Sequence, residues 1–147
     1  IMKEQQMWRE FISAHPEYQN KTYQAWSYGV EPDELARLTI ENIKTATASA
    51  FEEYALENEA LPEEGELNII LDANEEAVCI TKTIKVTVIP FIEVSNEHAY
   101  KEGEGDRSLH YWRAVHKDFF NQSYTKKGLT FHEHIPVVCE EFEVIYK

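Results

Sequence analysis

Val78-Cys79-Ile80-Thr81-Lys82-Thr83-Ile84-Lys85-Val86-Thr87-Val88-Ile89 is the strongest β signal in the chain, dense in β-branched residues. Such side chains are stiff about their first torsion and fit the pleated, half-buried surface of a sheet. Alternation sets Ile80, Ile84, Val86 and Val88 on one face against Cys79, Thr81, Thr83, Lys85 and Thr87 on the other, which predicts a long strand with a core side and a partly wet side. Upstream, Leu67-Asn68-Ile69-Ile70-Leu71 reads as a second strand, ending in a polar turn at Asp72-Ala73-Asn74. Downstream, Val137 to Tyr146 reads as a closing strand in which Val138, Phe142, Val144 and Tyr146 alternate with Cys139, Glu141, Glu143 and Ile145.

Helical spacing surrounds these strands. Met7, Trp8, Phe11 and Ile12 form one stripe from Lys3 to about His15, where Pro16 limits the helix. Pro32 opens a helix whose apolar face is Leu35, Ala36, Leu38, Ile40 and Ile43. Ser49-Ala50-Phe51-Glu52 matches a capping box and predicts a short helix to about Asn58. Leu109, Trp112, His116, Phe119 and Phe120 predict a helix from about Ser108 to Gln122. Tyr18 to Gly29 shows no sustained period and reads as an aromatic connection. The sum is an α+β chain, expected to be one domain over residues 1–147 with the first 16 residues packing on it as a helix.

The 147 residues carry a formal net charge of -13, which opposes sequence-independent binding to phosphate polymers. Any nucleic-acid site must therefore be local. Cys79 and Cys139 lack C-x-x-C spacing and read as buried apolar side chains in a reducing cytoplasm. No apolar run is long enough to span a bilayer and no signal-peptide pattern opens the sequence, so neither a membrane nor export is expected.

Chemistry concentrates in Lys44-Thr45-Ala46-Thr47-Ala48-Ser49, where one amine and three hydroxyls stand among alanines. In a strand, Thr45, Thr47 and Ser49 share one face and Lys44 the other. A threonine becomes a nucleophile only when a base takes its proton, and a lysine serves as base only when its pKa is lowered. Lys44 and Thr47 could cooperate only across a bend, and the plain reading is a solvated lysine beside a threonine-rich strand. Glu102, Glu104 and Asp106 alternate with Gly103 and Gly105, so the loop can approach a ligand or pair with Lys44; equally, Asp106 or Ser108 simply caps the next helix. Trp112 and His116 lie one turn apart with Arg113 beside them, offering a stacking ring and an anion-binding guanidinium, or else core. His132 and His134 share a strand face, but no further ligands complete a zinc set, and neither metal nor cofactor is expected.

Taken in order, Gly29, Pro32-Asp33-Glu34-Leu35-Ala36, Lys44 to Ser49, Leu61-Pro62, Glu102-Gly103-Glu104-Gly105-Asp106, Ser108-Leu109, Trp112-Arg113, His116 and Phe119-Phe120 resemble the ASCH domain, in its bacterial branch with an E-G-E-G-D loop. The resemblance implies a small PUA-like β-barrel flanked by helices, with a central cleft lined by a G-x-K-x-x-T type motif. It also implies a ligand that is RNA or a nucleotide or modified nucleoside, held by a monomer or homodimer. The ligand set is then Tyr28, Lys44, Thr45, Ser49, Glu104, Asp106, Trp112, Arg113 and His116. An alternative implied by amidohydrolase relatives acting on acetylcytidine maps a catalytic set onto Lys44, Thr47 and Glu102. The chain departs from those enzymes in its added N-terminal helix, its Trp112-Arg113-His116 helix, and Asn42-Ile43 where a glycine commonly stands.

Overall fold

The computed structural model describes residues 2–147. Helix α1 (Glu4–Ala14) buries Met7 and Phe11, and a 3-10 turn at Pro16–Tyr18 follows it. Strand β1 (Gln24–Ser27), helix α2 (Pro32–Ile40), strand β2 (Ala46–Ala50) and helix α3 (Phe51–Leu56) come next. The chain continues with β3 (Leu67–Leu71), β4 (Ala77–Pro90), α4 (Asn96–Glu102), α5 (Leu109–Lys126) and β5 (Pro136–Tyr146).

All five strands form one sheet in the order β1-β3-β4-β5-β2. Among the described residues only the β1–β3 pair is parallel. The sheet curls into a half-barrel, since residues of both its end strands, β1 and β2, line one hollow. Three apolar groups hold helices against it: α1 covers Leu67, Ile69, Leu71 and Ile80, α2 covers Ile70 and Cys79, and α5 covers Ala50, Val137 and Cys139. Both cysteines are free and buried, and burial pushes each thiol up to about 12. No helix among the described residues is long and apolar enough to cross a membrane.

The long strand differs from its expected facing. A register shift between Thr83 and Lys85 leaves Ile84 as a bulge, so the inward row passes from Cys79, Thr81 and Thr83 to Val86 and Val88. Thr81 and Thr83 are buried, whereas the apolar Ile84 and Val88 are exposed. One strand thereby serves packing on both sides of the sheet.

Three further differences concern short elements. The aromatic connection contains β1, whose four residues pair with Asn68 to Leu71. The polar stretch after Val94 contains α4, capped by Ser95, whose hydroxyl accepts from His98 N–H at 3.0 Å. The expected capping box does not form: Ala50 is the cap of α3, and the Ser49 hydroxyl pairs with Tyr54 Oη at 2.7 Å instead. Helix α5 begins as expected at Ser108, which accepts from Tyr111 N–H, and runs to Lys126, past the predicted end. Its last turns are held to α3, with Tyr124 donating to Glu52 at 2.8 Å and Lys127 bridging Glu53 and Glu57.

Candidate functional site

After α2 the chain turns tightly, because the N–H groups of Ile43 and Lys44 both donate to Leu38 O at 3.0 Å while Asn42 takes a positive φ of 60°. The turn drives Lys44 inward, and its residue is 1% exposed. The ammonium donates to Ala46 O at 2.9 Å, Glu104 Oε2 at 2.9 Å and Glu102 Oε1 at 3.3 Å. The acidic loop can come this close only as glycine at 103. Gly103 has φ +75°, and a Cβ there would stand 2.5 Å from Ile43 O. Thr45 fixes the same corner, its N–H donating to Lys101 O at 2.7 Å and its hydroxyl to the same oxygen at 3.4 Å.

Glu102 is fully partnered. Its Oε2 accepts from Trp112 Nε1 at 2.6 Å and lies 2.7 Å from His98 Nε2, and its Oε1 is 3.6 Å from His116 Nε2. Burial alone would raise this carboxyl, but the Lys44 ammonium, the His98 hydrogen bond and His116 outweigh it and hold the group well below the usual carboxylate range. Burial alone would lower Lys44, yet Glu102 and Glu104 prevail and raise it. Lys44 is therefore a firmly protonated ammonium, the opposite of what a general base requires.

The structure thus joins Lys44, Glu102, Glu104, Trp112 and His116 in one buried network, to which His98 belongs as well. Thr47 is not among the hydrogen-bond partners of Lys44, so no direct bond joins it to the Lys44–Glu102 pair. Trp112 is core rather than a stacking platform: it is buried, and His116 covers one ring face at a centroid distance of 4.2 Å and 15° between planes. Arg113 turns to the protein, its Nη2 donating to Ile92 O at 2.8 Å. Asp106 is exposed and accepts from Ser108 N–H, as a turn residue does, and the Ser108 hydroxyl, then its N–H, lower the pKa of this carboxyl. Tyr28 is buried with its hydroxyl 2.8 Å from Thr39 Oγ1, and burial pushes that phenol up to about 12. The rings of His132 and His134 lie 6.4 Å apart and tilted by 41°, and no metal-ligand cluster of three occurs among the described residues.

Thr47 and Ser49 instead face a cleft of about 580 Å³. Its walls are Gln24, Ala25 and Trp26 of β1 on one side and Thr47, Ala48 and Ser49 of β2 on the other. Tyr54, Glu59, Ala60, Pro62, Glu66, Asn68 and Glu140 complete it. The volume is that of a small-molecule pocket. Trp26 is held in place by donating from Nε1 to Asn68 Oδ1 at 2.9 Å. Its ring meets Tyr28 edge-on at 5.0 Å, and Tyr28 in turn lies 5.4 Å from Lys44 Nζ, so the cleft wall and the buried network are in physical contact. Glu140 stands in register between Thr47 and Val86. Burial, and then the charge of Glu66, raise its carboxyl to about 7.

A model of the ASCH domain matches residues 24–146, the span from β1 to the end of β5. The chain belongs to the ASCH domain family. Among solved structures, an ASCH domain from Lactobacillus crispatus JV V101 superposes with a TM-score of 0.92 at 26% identity, covering 99% of this chain and 97% of that one. A protein from Enterococcus faecalis V583 is 31% identical with a TM-score of 0.84, over 95% of this chain and 86% of the other. No curated protein matches the sequence. For this ASCH domain the expected α+β architecture, a PUA-like barrel flanked by helices, therefore holds. Helix α1, ahead of the matched span, lies within the extent shared with the Lactobacillus structure.

Two cleft residues escaped the sequence. Trp26 lies in the segment read as connection. Glu140 had a detectable signature: it interrupts the inward row Val138, Phe142 and Val144 of β5, at a position where an apolar residue is expected.

Proposed function

We propose that this ASCH domain binds a nucleobase, as part of RNA or as a free nucleoside or nucleotide, in the cleft between β1 and β2. The observation that carries this reading is the cleft itself, where an indole fixed by Asn68 faces a strand of small residues that presents Thr47 and Ser49. A flat ring laid on Trp26 gains contact area that no aliphatic wall would give, and the two hydroxyls supply donors and acceptors at its edge. The cleft lies on the strand of the Lys44 to Ser49 motif. In this reading Lys44, Glu102 and Glu104 set the corner from which that strand departs. The protonated state of Lys44 favours binding over hydrolysis.

Titration of the protein with short RNAs, nucleosides and nucleotides by calorimetry tests the reading. Binding should weaken at least about tenfold in Trp26→Ala, in keeping with the roughly 1–3 kcal/mol that base stacking contributes. Equal affinity in the variant and the parent would remove the cleft from consideration.

A further inference from the structure

We propose that the cleft selects a phosphate-free heterocycle bearing an exocyclic amine, with Glu140 and Glu66 accepting the amine and Glu140 pairing with the adjacent ring nitrogen. This rests on the reading of the cleft as a nucleobase site and narrows its ligand class.

The wall chemistry is the first support. No lysine or arginine lines the cleft, while Glu59, Glu66 and Glu140 do. The nearest buried cation, Lys44, is committed to Glu102 and Glu104. A phosphate entering beside these carboxylates loses its water and meets like charge, so nothing in the cleft offsets its desolvation. An amine meets acceptors.

The second support is the state of Glu140. Among the described residues no side chain or backbone group hydrogen-bonds to its carboxyl, in contrast to the fully partnered Glu102. It projects from the inward row beside Thr47 and Val86, and Thr83, opposite Glu66 in the ladder, carries a buried hydroxyl that also lacks a partner. The titratable groups around Glu140 are Glu66, Glu59 and Tyr54, with no opposing cation. A carboxylic acid offers one O–H donor and one acceptor side by side. That pair complements a ring nitrogen flanked by an amine, the edge shared by adenine and cytosine. Glu66 accepts the amine's second hydrogen and disfavours a carbonyl at the same place. Trp26 supplies the flat wall.

The test is calorimetric titration of adenosine, cytidine, uridine, inosine and the 5′-monophosphates of the first two, with parent protein, Glu140→Gln, Glu140→Met, Glu66→Gln and Trp26→Ala. Circular dichroism verifies that each variant is folded. The expected result is at least tenfold tighter binding of adenosine or cytidine than of uridine, inosine or either monophosphate, with that preference kept in Glu140→Gln, whose amide offers the same donor beside an acceptor, and reduced in Glu140→Met and in Glu66→Gln. Binding of the monophosphates or lactam nucleosides as tight as that of the amines, and abolished by Trp26→Ala, would overturn the inference and leave the cleft reading intact. Binding of none of these compounds or short RNAs, or binding indifferent to Trp26→Ala, would overturn both.

Discussion

Glu102, at the end of α4, and Glu140, on β5, are both glutamates drawn largely out of water, yet they end in opposite electrostatic conditions. Glu102 meets an ammonium, an indole N–H and two imidazoles, and its pKa falls. Glu140 meets another carboxylate and no donor, and its pKa rises to about 7. Burial is common to both, so it is the partners that decide the sign. A region whose polar groups are all paired is scaffold, and one whose polar groups are left open is where a ligand can be paired.

The comparison breaks most severely at the scaffold. Lys44→Ala strands the Glu102 charge, and losing one partner of a buried pair costs roughly 3–5 kcal/mol; chemical denaturation should show a loss of this size, with part of it recovered in Lys44→Ala combined with Glu102→Gln. Gly103→Ala attacks the close approach that lets the pair form. With φ at +75° and Ile43 O in the way, it should destabilise by about 1–3 kcal/mol, and a loss under a few tenths would mean that the loop moves freely.

The pH dependence sharpens the contrast, since the two groups act with opposite sign. Glu102 has a folded pKa below its unfolded value, so its contribution is present above about pH 4.3 and is lost as pH falls through the folded value. Glu140 has a folded value near 7, so the fold is penalised progressively as pH rises from the unfolded value through 7. Glu140→Gln should therefore stabilise the protein by about 1–2 kcal/mol at pH 8, after allowing for solvent screening at the cleft, and by roughly a third of that at pH 5. Equal effects at both pH values would show that Glu140 ionises normally. The smallest effect is expected of Ser49→Ala, which removes only the bond to Tyr54 and should cost about 1 kcal/mol by thermal unfolding.

Periodicity made the larger elements legible. α1, α2, α5, β3 and β5 carry stripes or alternations long enough to read. β1 is four residues without alternation, and its pairing with β3 depends on chain far downstream. α4 hides because its buried face is His98, Ala99 and Glu102, polar in two of three positions. The bulge at Ile84 defeats a facing drawn from strict alternation, because local sequence does not mark where a ladder slips. At the site, proximity of Lys44 to the acidic loop was conceivable from residue types. Whether that lysine faced a ligand or a sealed interior depended on the turn at Asn42.

The lone parallel pairing of the sheet bears on how the molecule assembles. β1 pairs with β3, whereas β2 waits for β5 at the very end of the sheet's chain order, the widest sequence separation of any pairing in the sheet. Pairings of such wide sequence separation form late, since long loops must close first. One wall of the cleft is β2, whose pairing closes the longest loop of the sheet, so the cleft is complete only once the last strand is in place.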